Sequence, residues 1–208
     1  YKGLRYKVAY RLVNAADYGV PQKRERVIIV GFRSDIKVKW AFPEPTHSED
    51  ALRWSQFVTG DYWERHRIKC TYPGNIVSEQ RTSLLEKYGF LQPELLPWLT
   101  IRDVTTDLEH SESKLSREYP GHTGSFIDEP SKTIKAGAHG VPGGENMVKL
   151  EDGTTRYLTI DEAKRIQTFP DEYIITGSWT EGMRQLGNAV PVKLAYVIGK
   201  SVVDALEP

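Results

Sequence analysis

Five consecutive residues, Gln22-Lys23-Arg24-Glu25-Arg26, place two guanidinium forks two positions apart, directly ahead of the apolar run Val27 to Gly31. A guanidinium donates through a planar, bidentate fork that suits a phosphate or the edge of a base, which a lysine ammonium cannot reproduce. Alternation along an extended segment points Gln22, Arg24 and Arg26 to one side and Lys23 and Glu25 to the other. The plainer explanation is a solvated charged face, or an ion pair on the surface or between domains.

Two distant stretches carry further candidates. Residues 156 to 170 read RYLTIDEAKRIQTFP, and residues 187 to 191 read GNAVP before a long apolar-periodic segment. A glycine-asparagine turn at a helix start offers backbone amides and a side-chain amide to an anionic group, or Asn188 serves simply as turn residue and cap. Arg165 follows Glu162 by three residues on the expected helix, so a local salt bridge accounts for that pair. Lys132 and Lys135 precede the glycine-rich stretch Gly137 to Asn146, whose backbone can approach a ligand closely for want of Cβ atoms. His66 and Cys70 offer two metal ligands at helical spacing with nothing nearby to complete a set.

The elements that must position these groups are legible at both ends of the chain. Residues 6 to 13 and 27 to 32 read as strands, and Asn14 to Pro21 supplies the turn chemistry for an antiparallel hairpin. The strand signal fades from Asp35, and two prolines in AFPEP set a boundary near Pro43. Residues 46 to 150 are the least periodic, with helical pieces at about 82 to 90 and 100 to 110 and a possible strand at Ser131 to Ala136. Thr159 and Glu162 form a Thr-x-x-Glu capping box for a helix that Phe169-Pro170 stops. Pro191 suits the first turn of a last helix, whose stripe Leu194, Ile198, Val202 and Leu206, with Val197 and Ala205 alongside, must be buried against something.

Composition narrows the class. The 208 residues carry no formal net charge, yet residues 1 to 39 hold ten Lys or Arg against three acids, which suggests a face for phosphates. The lone cysteine, Cys70, excludes an intramolecular disulfide and implies no oxidising compartment. No apolar run approaches the roughly 20 residues that span a bilayer. The chain reads as cytoplasmic, of a bacterial type associated with the nucleoid. Its abrupt opening on Tyr-Lys-Gly without Met looks like a fragment or a processed piece.

In their order, Gln-x-Arg-x-Arg, Arg-x-Leu-Thr-x-x-Glu-x-x-Arg-x-Gln-x-Phe-Pro and Gly-Asn-x-Val-Pro, the three stretches resemble the C-terminal conserved blocks of the DNA (cytosine-5) methyltransferases. The resemblance runs from near Tyr1 to about Leu206 and leaves residues 43 to 150 as the variable region. It implies an α/β fold, the C-terminal part of a Rossmann-like S-adenosylmethionine-dependent methyltransferase, with a strand hairpin plus terminal helix and a small irregular target recognition domain. Residues 1 to 42 would be the last strands of the catalytic domain, 43 to 150 the recognition domain, and 151 to 208 a supporting helix and a helix returning to the catalytic domain.

The family flips a cytosine out of double-stranded DNA, adds a cysteine thiolate to carbon 6, assists at N3 with a glutamic acid and transfers methyl from S-adenosylmethionine to carbon 5. By the resemblance, Arg26 reaches the base carbonyl or its flanking phosphate, Arg24 helps fix the site's geometry, and Gln22 lies with them. Asn188, Ala189 and Val190 meet the carboxylate end of the cofactor. Arg156, Glu162, Arg165 and Gln167 buttress the region that reads sequence. The loop Gly137 to Asn146 contacts base edges in the major groove, with Lys132 and Lys135 on phosphates, and the role is restriction-modification.

The sequence departs from that pattern. No Pro-Cys dipeptide occurs, Cys70 lies after the arginine block where the family nucleophile comes before it, and the glycine-rich cofactor loop is absent. Glu145-Asn146-Met147 resembles the family's Glu-Asn-Val tripeptide but stands between the wrong blocks and reads as loop. The chain by itself is therefore expected to be inactive, with no catalytic nucleophile, no metal and only part of the cofactor pocket. It needs an N-terminal half or a partner subunit that carries the Pro-Cys nucleophile, against which the hairpin and the last helix pack. Two alternatives stand beside this: a DNA-binding or regulatory module without catalysis, and a fragment of the RNA branch that modifies tRNA, against which the length from Pro43 to Leu150 speaks.

Overall fold

A computed structural model of the chain describes residues 3 to 107, 123 to 136 and 143 to 207. β1 (Tyr6–Asn14) and β2 (Glu25–Arg33) form the expected antiparallel hairpin, with Tyr6 opposite Arg33 and Asn14 opposite Glu25. A single turn of 3-10 helix, Ala15–Tyr18, starts the connection. The Asn14 side-chain oxygen accepts from the Ala16 and Arg24 amides, both at 3.2 Å, and so ties the two ends of the connection together. Gly19 then turns the chain with φ of +75°, and a Cβ there would lie 2.5 Å from Lys193 Nζ.

The period of two divides the hairpin into unlike faces. Ala9, Val13, Ile28 and Val30 pack with Trp40, Phe42 and, from the far end of the chain, Leu194, Val197 and Ile198. On the other face Tyr6, Val8, Tyr10, Leu12, Val27 and Ile29 are each more than half exposed.

The middle of the chain is mostly helical. β3 (His47–Ser48) leads into α1 (Glu49–Phe57), then α2 (Asp61–His66) and α3 (Gly74–Tyr88), and β4 (Leu96–Pro97) returns parallel to β3 before α4 (Ile101–Thr105). The helical piece read at 82 to 90 is the second half of α3, which runs from Gly74. Of the piece read at 100 to 110, the described residues reach 107 and are helical over Ile101–Thr105, opened by a Thr100/Asp103 capping box, and 108 to 110 lie outside the described residues. Ala16, Leu52, Tyr62, Trp63 and Trp98 form the core here, so the hairpin connection is packed against this part as well.

β5 (Ser125–Phe126), β6 (Met147–Lys149) and β7 (Thr155–Tyr157) make a small mixed sheet, followed by α5 (Ile160–Ile166), α6 (Trp179–Asn188) and α7 (Val192–Leu206). Ile101, Ile134, Val148, Leu158, Ile166, Met183 and Leu186 share one core. The strand expected at Ser131 to Ala136 does not form. Ser131 makes one parallel bridge to Gln22, and the amides of Lys132, Ile134 and Lys135 are taken by the side chains of Ser125, Gln22 and Asn146. Side-chain partners thus replace a ladder.

The capping box at Thr159 and Glu162 is present with both of its hydrogen bonds, and α7 begins directly after Pro191. Of the α7 stripe Leu194 is buried, whereas Leu206 stays half exposed. α6 carries its own start signal, Ser178 accepting from the Glu181 amide, with Met183 and Leu186 on its buried side. It makes one correction necessary: Gly187-Asn188 is the last turn of α6, so Asn188 stands at a helix end and not at the start of one.

Candidate functional site

Arg24 and Arg26 have opposite surroundings. Arg24 is 4% exposed and donates from one terminal nitrogen to the Ile134 carbonyl at 3.2 Å and from the other to the Gly187 and Ala189 carbonyls at 2.9 and 3.1 Å. Its Nε is buried without a partner, and among the described residues no carboxylate pairs with it. The fork instead sits on the last carbonyls of α6, where the negative end of the helix dipole favours a cation. Burial first, and the Arg26 charge second, lower its pKa.

Gln22 is fully buried beside it, its Oε1 accepting from the Ile134 amide at 3.1 Å. The two inward side chains thus clamp the backbone at Ile134 against the hairpin connection. Gly187 belongs to the same junction, because a Cβ there would lie 2.3 Å from the Ala136 backbone nitrogen. No side chain fits that approach.

Arg26 is exposed, and its guanidinium donates to the Glu25 carbonyl at 2.6 Å. With Asn14, Lys23, Glu25, Glu49, Trp98 and Thr133 it lines an open cleft of about 630 Å³ between the hairpin connection and α1. The α6–α7 turn covers Arg24 and leaves Arg26 clear, so alternation along the segment did not predict burial.

Asn188 is exposed, and among the described residues its side-chain amide and the Val190 amide have no hydrogen-bond partner. The Ala189 amide is used by Leu186 and its carbonyl by Arg24. Gln167 holds this turn in place, donating to the Leu186 carbonyl at 2.6 Å and accepting from the Val192 amide at 3.1 Å.

The expected Glu162–Arg165 pair is replaced. Glu162 forms a buried bidentate pair with Arg156 at 2.6 and 2.8 Å and also accepts from the Thr159 amide, while Arg165 pairs with Asp171 at 2.8 Å and with Asp107. The capping box turns Glu162 back toward β7, where Arg156 arrives from the sheet, out of reach of its own helix face.

Lys132 and Lys135 are both engaged within the chain. Lys132 donates to the Thr123 carbonyl at 2.8 Å and to the Gly143 carbonyl, and Lys135 pairs with Glu145. Residues 137 to 142, part of the glycine-rich stretch expected to contact base edges, lie outside the described residues. Glu145 and Asn146 form a turn, with the buried Asn146 amide fastened to both backbone groups of Lys135 at 3.0 Å, and Met147 opens β6. His66 faces Asp103 at 2.9 Å, Cys70 is an exposed free thiol, and the described residues hold no group of three metal-ligating side chains. No helix among them is long and apolar enough to cross a membrane.

The fold is that of methyltransferases. A methyltransferase of Entamoeba histolytica, EhMeth, superposes with a TM-score of 0.57 at 13% identity over 98% of this chain and 55% of its own, and the Dnmt2 methyltransferase of S. pombe with 0.56 at 16% over 97% and 57%. The C-5 cytosine-specific DNA methylase family model matches residues 2–204, and the chain belongs to that family. Its relatives include the Type II methyltransferases M.Eco47II of Escherichia coli, 34% identical over 95% of this chain and 46% of the relative, and M.BspRI of Lysinibacillus sphaericus, 33% identical over 96% and 44%. The chain spans about half the length of the curated relatives it matches.

Proposed function

We propose that this chain is the DNA-recognising portion of a Type II, restriction-modification cytosine-5 methyltransferase, and that it works with polypeptide that carries the nucleophilic cysteine and the rest of the cofactor pocket. The observation that carries this reading is the pairing of one exposed arginine in an open cleft with a second, buried arginine that fixes the segment bearing it. A flipped cytosine needs a cationic donor already in position, since unstacking costs a few kcal/mol and the site must grip the extruded base.

Arg26 donates to the base carbonyl or its flanking phosphate, while Gln22 and Arg24 hold the backbone that presents it. Asn188 and Val190 retain free hydrogen-bonding groups at an exposed turn, and they fit the polar end of S-adenosylmethionine. That cofactor supplies an activated methyl group. The DNA-reading segment lies between residues 70 and 150, around the loop that includes 137 to 142.

The apolar outer face of the hairpin is where the complementary polypeptide docks. Covering its six side chains is favourable by on the order of 1 kcal/mol for each, ample to hold two pieces together. The test is transfer of labelled methyl from S-adenosylmethionine to duplex DNA. The chain by itself is expected to transfer none, and to gain activity with the Pro-Cys half of a relative. Tyr10→Lys combined with Ile29→Lys is expected to abolish that gain, and full transfer by the isolated chain overturns the proposal.

Recognition is tested by exchange. Replacing residues 70 to 150 with the matching segment of a relative of different specificity is expected to change the sequence methylated. An unchanged site places recognition elsewhere.

A further inference from the structure

The cleft holds a second cation whose position the arginines do not explain. Both backbone groups of Lys23 are fixed, its amide donating to the Ser131 carbonyl and its carbonyl accepting from Thr133 Oγ1, each at 2.8 Å. Its side chain, by contrast, is 42% exposed and lies along the cleft. Nζ sits 5.2 Å above the Trp98 ring and 3.0 Å from Glu49 Oε1.

The platform under it is built, since the Trp98 indole N–H donates to Asp17 at 3.0 Å and the ring is buried. Glu49 has a second cation in reach, Arg53 at 3.3 Å, which itself is anchored by Glu129. If Lys23 swings away, Glu49 is therefore not left unpaired. An exposed pair of this kind is worth about 1 kcal/mol or less, so a phosphate can compete with it.

We propose that Lys23 is a phosphate-binding residue of the cleft, held over Trp98 by Glu49 in the free protein, and that it leaves Glu49 to Arg53 when duplex DNA enters. This rests on the reading of the chain as DNA-binding. It adds a backbone contact beside the arginine that grips the base, and it makes Glu49 a brake on non-specific binding. A lysine serves here because a phosphate needs a point charge on a long, swinging stem more than it needs a planar fork.

The experiment measures affinity of the full-length protein for a duplex of arbitrary sequence across a salt series. Each neutralised phosphate contributes about −0.9 to the slope of log affinity against log salt, so Lys23→Ala is expected to flatten the slope by about that much and to weaken binding roughly fivefold near 0.1 M salt. Lys23→Arg is expected to keep the slope. Glu49→Gln is expected to tighten binding about threefold at unchanged slope in the wild type, and to do so by less than half as much in a Lys23→Ala background.

An unchanged slope in Lys23→Ala, with wild-type binding intact, overturns the inference and leaves the pair as a surface salt bridge. A Glu49→Gln gain that is equal in both backgrounds overturns the brake. Absence of any salt-dependent duplex binding by the wild-type protein overturns the DNA reading itself, a result distinct from the other two.

Discussion

Arg26→Ala is expected to lower methylation by the assembled enzyme about 100-fold or more while changing S-adenosylmethionine affinity less than about twofold, as removal of one pre-positioned donor at a site of developing charge does. Arg26 stands in the open cleft, and its guanidinium donates to the adjacent Glu25 carbonyl. Its loss leaves no buried group unpaired and no core uncovered, so the fold should be indifferent to it. Single-turnover methylation of duplex DNA beside equilibrium cofactor binding separates the outcomes. Loss of both in equal measure assigns Arg26 a structural role and removes the base contact.

Arg24 is expected to behave in the opposite way. Arg24→Ala strips three carbonyls, those of Ile134, Gly187 and Ala189, of their donor in a buried setting. Hydrogen bonds to a charged group and the desolvation of stranded acceptors together put the cost at about 3 kcal/mol. For a protein of this size that is a fall in Tm on the order of 10 °C. DNA methylation and cofactor binding should both fall, because the clamp joins the segment proposed to face DNA to the turn that bears Asn188 and Val190. Arg24→Lys should recover less than half of the stability, since one ammonium on a flexible stem cannot span carbonyls that the planar fork reaches together. A loss below about 1 kcal/mol in calorimetry or denaturant unfolding removes the clamp from the account.

The two arginines show how far local pattern reaches. The hairpin was legible because alternating apolar residues on either side of Asn-Ala-Ala-Asp-Tyr-Gly turn chemistry have few other solutions. The capping box at Thr159 and Glu162 was legible because it satisfies its own amides within four residues. The long helix after Pro191 announced itself by period, and the ordered blocks announced the family. Where the pattern misled, a partner far along the chain intervened. Ser131 to Ala136 has strand-like residues, yet side chains from the hairpin connection and from Asn146 occupy its amides. Glu162 has a cation one turn away, yet Arg156 reaches it from β7 and buries the pair. α6 was missed although Ser178 and Glu181 mark its start, because its two fully buried apolar side chains, Met183 and Leu186, stand between glycines and only Trp179 joins them on the core.

By itself, then, the sequence determined the elements whose stabilising contacts are short in range, the hairpin, the capped helix and the terminal helix, together with the family. Which arginine is buried was decided only in three dimensions, because the carbonyls that hold Arg24 come from residues 110 to 165 positions away, at Ile134, Gly187 and Ala189. The spacing of two guanidinium groups along a strand says nothing about what covers each of them. The turn after α6 closes over one and leaves the other facing the cleft, and that difference makes one a clamp and leaves the other free for the contact proposed with the base.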